Sequence, residues 1–284
     1  MRGELKARAI DAAIAQLDKQ RGAGVFRYEA PGYTREPAMN LIEGVTERDF
    51  TDDLACGDGS ELKDQKKSPA KFCAAHSSSA LCVNVFAPFR RAPENLILAG
   101  ETGFTEARFE RKCSTGLRGN SPNLDFFAQG DSAIVGVESK YLEPLAPKRA
   151  KFSDAYDRPI KGAGSGWRSL YSMLRADPGR FVMVDAAQLV KHYLGLQHTF
   201  ADAGARIILM YVYWEPANAS ALPEYQEHRR EVAEFSELAA EDRVEFVAVS
   251  YPQLWEYWES ESKWPGMPEH LRAARERYDY PIAS

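Results

Sequence analysis

The sequence predicts an α/β fold with a mixed central sheet flanked by helices. Three observations carry that reading. Two apolar runs, 132–138 and 206–213, have the length and branched content of strands buried on both faces. Segments of helical period stand between the later strands. Strands come first, then a helix, a strand, a helix and a strand, which is the order of a layered α/β sandwich.

From the N-terminus, residues 4–19 place Leu5, Ala9, Ala12, Ala13 and Leu17 on one helical face. Residues 21–67 are irregular, with Gly, Pro and Asp scattered through them. Ser68-Pro69 reads as an N-cap followed by Pro at the first helical position, so a helix is expected from there to about Phe86, ended by Pro88. Leu96-Ile97-Leu98, 105–111 and 124–128 are short strand candidates. In the second, Ala107 and Phe109 alternate with Arg108 and Glu110. A turn at Gln129-Gly130-Asp131 then leads into 132–138. The chain next becomes polar and basic, with Lys148, Arg149, Lys151, Arg158, Lys161, Arg168 and Arg175, while Trp167, Leu170, Tyr171 and Leu174 keep helical spacing. A helix is expected over 184–203, ending near Gly204. A charged helix over 223–239, a strand over 244–249 and helices around 252–258 and 269–278 complete the chain. No long linker interrupts it. The expected organisation is an N-terminal helix and irregular arm (1–60), one core domain (61–260) and a helical cap (261–284).

Composition narrows the function. The 284 residues are 44% hydrophobic and 27% charged, ordinary for a globular chain. The net charge of -5 denies it a blanket electrostatic grip on nucleic acid, so any such contact needs a local basic patch. Four cysteines, Cys56, Cys73, Cys82 and Cys113, form no C-x-x-C pair and read as reduced, mostly structural thiols. The polar N-terminus has no apolar signal core, and no apolar stretch approaches the ~18 residues of a membrane span. No membrane partner and a cytoplasmic location are expected.

The chemistry concentrates between Asp125 and Lys140. Side chains two apart on a strand share a face, so Glu138 and Lys140 project together. Asp125, on the neighbouring strand of a hairpin, is expected to meet Glu138 across the pair. Two carboxylates at a strand end form a hard-oxygen site of the kind Mg²⁺ takes, and the Ser139 carbonyl is a further candidate ligand. A Lys beside the metal orients the attacking water or offsets phosphate charge. A lone Glu-x-Lys is usually a solvated edge with a weak ion pair. The apolar run before Glu138 and the Asp on the preceding strand set this one apart.

These residues resemble a known signature. Pro122-Asn123-Leu124-Asp125, followed by Gly136-Val137-Glu138-Ser139-Lys140, is similar to that of the PD-(D/E)xK nucleases, and Glu138 follows Asp125 by thirteen residues, within that superfamily's customary range. The resemblance spans roughly 60–255. It takes in His76–Phe86 before the site, the Phe109-Glu110-Arg111-Lys112 run, and Ala187-Gln188-Leu189-Val190-Lys191-His192 after it. It implies a restriction-endonuclease-like fold and metal-dependent hydrolysis of phosphodiesters, with Mg²⁺, or Mn²⁺ in its place. Asp125 and Glu138 match the metal-binding acids and Lys140 the catalytic Lys. Many members add an acid from an early helix; Glu61 is the first candidate and Glu110 the second. Gln188 matches a Gln of several relatives that serves phosphate or water, against an equal expectation of a packing or capping role. Lys191, three residues on, shares its face and joins Lys148, Arg149 and Lys161 as candidate nucleic-acid contacts.

Other motifs carry less. His76 on an apolar helix reads as a core or rim histidine. Ser77-Ser78-Ser79 has no evident base, and no G-x-S-x-G elbow exists. Gly162-Ala163-Gly164-Ser165-Gly166 follows no strand, so it is read as a mobile loop near the site rather than a nucleotide loop. Trp255, Trp258 and Trp264 are expected in the core. The expected activity is a Mg²⁺-dependent nuclease acting on nucleic acid, DNA before RNA, with a homodimer left open. The alternatives are a non-catalytic nucleic-acid-binding protein that keeps the fold, or a metal hydrolase of small phosphoesters.

Overall fold

A computed structural model describes residues 2–56, 61–66, 68–119, 121–240 and 242–283. Met1, Gly59, Ser60 and Lys67, in or beside the predicted N-terminal arm, lie outside the described residues. The centre is a five-stranded sheet of order β1-β2-β3-β4-β5. Its strands are β1 (Phe104–Lys112), β2 (Asn123–Gly130), β3 (Ala133–Lys140), β4 (Arg206–Tyr213) and β5 (Val244–Ser250). β1, β2 and β3 are antiparallel neighbours, whereas β3, β4 and β5 run parallel. The sheet is therefore mixed, as expected.

The helices are α1 (Arg2–Arg21), α2 (Thr51–Ala55), α3 (Ser78–Arg91), α4 (Ser165–Ala176), α5 (Ala186–Thr199), α6 (Pro223–Leu238), α7 (Tyr251–Glu261) and α8 (Met267–Tyr278). Period-2 alternation divides the strand side chains between two cores. Val135, Val137, Ile208, Met210 and Val212 pack with α1, α3, α7 and α8. Ile134, Ile207, Leu209 and Tyr211 pack with α4, α5 and α6. Every residue of β3 is buried, which explains the unbroken apolar run in the sequence. Trp255 and Trp258 are core residues, and Trp264 is packed against them. No helix among the described residues is long and apolar enough to cross a membrane.

Several elements depart from expectation. The helix before the sheet begins at Ser78, capped by Ser77 Oγ, which accepts from the Ala80 N–H at 3.2 Å. Ser68-Pro69 starts no helix; only a 3₁₀ turn, Lys71–Cys73, lies there. Pro88 sits inside α3 rather than ending it. Leu96 and Leu98 are buried but form no strand, Leu98 making only an isolated bridge to Glu101. Helix α5 is shorter at both ends than the predicted 184–203.

Candidate active site

The C-terminal end of β3 fixes the site. Glu138 and Lys140 face α5, while Val137 and Ser139 face the opposite layer, where Ser139 Oγ lies 2.7 Å from Tyr251 Oη. The backbone alternates as well. The Lys140 carbonyl accepts from Trp214 N at 2.8 Å on the β4 side, so the N–H and C=O of Ser139 turn toward β2. There the Ser139 N–H donates to Asp125 Oδ2 at 2.7 Å.

Asp125 does not face Glu138 as plain alternation predicts. The β2–β3 register ends at Phe126↔Val137, one step short of that pair. Leu124 packs on the α5 side, as Phe127 does, with Phe126 on the other. This breaks the alternation, and the Asp125 carboxylate takes the next ladder position in place of a backbone carbonyl. The Ser139 carbonyl, on the same edge, is presented beside it.

The charges are strongly coupled. Burial pushes the Asp125 carboxyl well above its usual range, the Glu138 charge pushes it further, and Lys140 with the Ser139 N–H opposes them. Burial also works to raise Glu138, but the Lys140 ammonium and the His192 ring beside it outweigh this and hold it at about 2. Burial alone would lower Lys140; Glu138 and Asp125 overcome it, so Lys140 stays an ammonium. Its Nζ pairs with Glu138 Oε1 and donates to Gln188 Oε1 at 3.0 Å. A narrow pocket lined by Glu143, Lys148, Asp185 and Tyr211 opens beside it.

Helix α5 is matched to β3. Gln188 meets Lys140 and His192 meets Glu138, and a Cβ on Gly136 would touch Leu196. Four helical residues rise about 6.0 Å and two strand residues about 6.6 Å, so the two ladders stay in step. Asp185 starts the helix, its Oδ1 accepting from Gln188 N at 3.2 Å.

His192 is the site residue that the sequence reading passed over. Its Nε2 lies 2.7 Å from Glu138 Oε2, and both side chains are 1% exposed. The imidazole stands against this carboxylate oxygen at hydrogen-bond distance and acts with Lys140 to lower Glu138. The signal was available: His192 follows Gln188 by four residues, which puts the two on one helix face.

The remaining candidates separate. Glu61 engages Lys71 Nζ and Ser79 Oγ, each at 3.2 Å. Glu110 accepts from Asn123 Nδ2 at 3.0 Å, and its charge raises Asp125. Glu110 has φ 53°, a left-handed backbone inside a strand. Lys148 pairs with Asp185 at 2.8 Å. Lys191 lies over the Phe152 and Tyr156 rings. Arg149 is exposed, and Lys161 lines a surface depression of about 690 Å³ together with Arg118 and Arg158. The glycines at 164 and 166 are packing residues: a Cβ there would collide with Asp242 Oδ2 and with the Leu238 carbonyl. The expected mobile loop is thus the tightly docked start of α4.

The fit to a divalent cation rests on donor chemistry. Asp125, Glu138 and the Ser139 carbonyl offer hard oxygens, and Glu138 is a buried carboxylate held well below the usual range, so it is ionised. Among the described residues no three His, Cys, Asp or Glu side chains gather as a metal cluster. Two carboxylates suffice for Mg²⁺, which keeps several waters.

A mixed sheet flanked by helices, with an Asp on β2 and a Glu and a Lys at the end of the buried strand β3, defines a restriction-endonuclease-like protein. The comparisons make this specific: the profile of the family described as "restriction endonuclease associating with ARP" matches residues 18–279, and the chain belongs to that family. No curated protein and no solved structure matches it.

Proposed function

We propose that this protein is a metal-dependent nuclease that hydrolyses phosphodiester bonds in nucleic acid, DNA before RNA. The observation that carries the reading is the convergence of Asp125, Glu138, the Ser139 carbonyl and the Lys140 ammonium on one strand end. Membership in a restriction-endonuclease family supports it.

Asp125, Glu138 and the Ser139 carbonyl would hold Mg²⁺ or Mn²⁺. When bound, the ion supplies Lewis acidity and a water of lowered pKa. Asp125 is fixed by the Ser139 N–H, which limits the reorganisation needed on binding. Lys140 is charged, so it acts first as a cation for the scissile phosphate and as a proton donor, not as a resting base. Gln188 steadies the Lys140 Nζ from the first turn of α5. Lys148, paired with Asp185 at the start of that helix and lining the pocket beside Lys140, would contact a substrate phosphate.

The test is cleavage of plasmid, linear and single-stranded DNA across a Mg²⁺ and Mn²⁺ titration, with Asp125→Ala and Lys140→Ala in parallel. Metal-dependent cutting by the wild type, lowered by at least about 10²-fold in both folded variants, is expected from removing groups that act on developing charge. Wild-type protein that binds DNA yet never cuts would favour a binding protein that keeps the fold, or a missing partner, which the family's described association with ARP would then suggest. Cleavage of small phosphoesters but not of polynucleotide would move the substrate class.

A further inference from the structure

Glu138 is fully buried, and each of its two oxygens has a different neighbour. Oε1 is held by Lys140, whereas Oε2 lies 2.7 Å from His192 Nε2. A buried carboxylate oxygen is costly unless a polar group faces it, and the His192 ring is placed to be that group. The His192 ring is also not a free rotor. It is 1% exposed on α5, one turn beyond Gln188, and the matched rise of helix and strand sets it over Glu138 as Gln188 is set over Lys140.

We propose that His192 is a positioning residue that fixes the Glu138 carboxylate for metal binding, by confining Oε2 while Lys140 confines Oε1. Without it, Glu138 is free to turn both oxygens onto Lys140, and its presentation beside Asp125 is lost. Helix α5 then serves the site with two teeth, Gln188 for the lysine and His192 for the acid. The inference rests on the metal-nuclease reading above. It assigns His192 no bond to the metal and no contact with substrate.

The experiment uses the full-length protein with Mn²⁺ as the probe. Mn²⁺ dissociation constants are measured by electron paramagnetic resonance for wild type, His192→Phe, His192→Gln and Glu138→Gln, with melting temperature and the kcat and KM for DNA beside them. Outer partners of metal ligands typically affect affinity by about 10-fold or more. The Phe variant is expected to weaken Mn²⁺ by about that factor and to lower kcat with KM little changed, while Gln, which keeps a donor, recovers most of the loss. Folded Phe and Gln variants that both bind Mn²⁺ like wild type would reduce His192 to a packing residue. A nitrogen hyperfine coupling on the bound Mn²⁺ that vanishes with His192 would make it a ligand and equally overturn the proposal. If the Phe variant does not fold, imidazole ¹⁵N NMR of the wild type carries the test: the His192 ring signals must move in Glu138→Gln, and unmoved signals refute the contact. Wild type that binds no Mn²⁺ sinks the metal reading itself. Binding that depends on Glu138 but not on His192 sinks only this inference.

Discussion

Gly136 shows how a single residue shapes the site from a distance. A Cβ there would lie 2.7 Å from Leu124 Cδ1, 3.0 Å from Leu124 Cδ2 and 3.1 Å from Leu196 Cδ1. Only glycine lets Leu124 cross onto the α5 face, and that crossing is what turns Asp125 into the plane of the sheet. The neighbours are side-chain ends, so Gly136→Ala should fold but overpack, costing about 1–3 kcal/mol. Calorimetry should report a lower melting temperature, with Mn²⁺ affinity reduced as Leu124 drags Asp125. An unchanged melting temperature and affinity would show that the crossing of Leu124 does not depend on this glycine. At this scale the sequence was partly legible. Glu138 and Lys140 were readable because they end an apolar run on a strand of fixed period. The orientation of Asp125 was not, because alternation fails at Leu124 for a packing reason that lies on another strand. His192 was missed because its partner is remote in sequence, although its spacing from Gln188 was visible.

Among the elements, the misread ones share a cause: tertiary packing overrode a local signal. Pro88 should stop α3, yet Phe86 stacks on Phe126 at 4.6 Å and Phe89 packs on Trp258 at 5.2 Å, anchoring the helix on both sides of it. Asn84 on the same helix accepts from Ile42 N and donates to the Asn40 carbonyl and Tyr278 Oη, tying the N-terminal segment and α8 to α3. The Leu96–Leu98 run was apolar because it is buried, not because it is a strand. The pairing of α6 with β4 makes a prediction about acid stability. His228 is wholly buried, 3.1 Å from Tyr211 Oη and edge-on to Tyr213. Burial, with a smaller push from Arg229, lowers its pKa to about 3. The unfolded chain protonates near the ordinary value of about 6.5. Above that pH both states are neutral and the contribution is flat. As pH falls from about 6.5 toward 3, only the unfolded state gains the proton, and stability is lost, on the order of 4 kcal/mol. Urea denaturation of wild type and His228→Gln at pH 7 and pH 4.5 should show a smaller acid loss in the variant. Parallel losses in the two proteins would remove His228 as the cause.

For the molecule as a whole, charge is unevenly distributed. The chain carries -5, yet residues 148–180 hold eight Lys or Arg against three Asp. The fold turns this segment along the outer side of α5, where Gln197 Nε2 donates to the Gly162 carbonyl and Lys191 lies over Phe152. Lys148, Arg175 and Arg180 pair with Asp185, Asp154 and Glu234 at the surface. Exposed bridges of this kind are worth about 0–1 kcal/mol, so a phosphate can displace the acid at little cost. On the proposed nuclease reading, the segment that follows β3 is the local basic face available to nucleic acid, on the layer toward which Glu138 and Lys140 point. If it tracks the backbone of nucleic acid, Arg149→Glu with Lys161→Glu should weaken DNA binding at every sequence. The slope of log affinity against log salt should fall by about one for each phosphate that the variant no longer neutralises. Arg272→Glu, on α8 in the opposite layer, should leave that slope unchanged. Fluorescence anisotropy across a salt titration separates the outcomes. Equal slopes in the double variant and wild type would place the nucleic acid on another face, and the path to Lys140 would then have to run from the Asp125 side of the sheet.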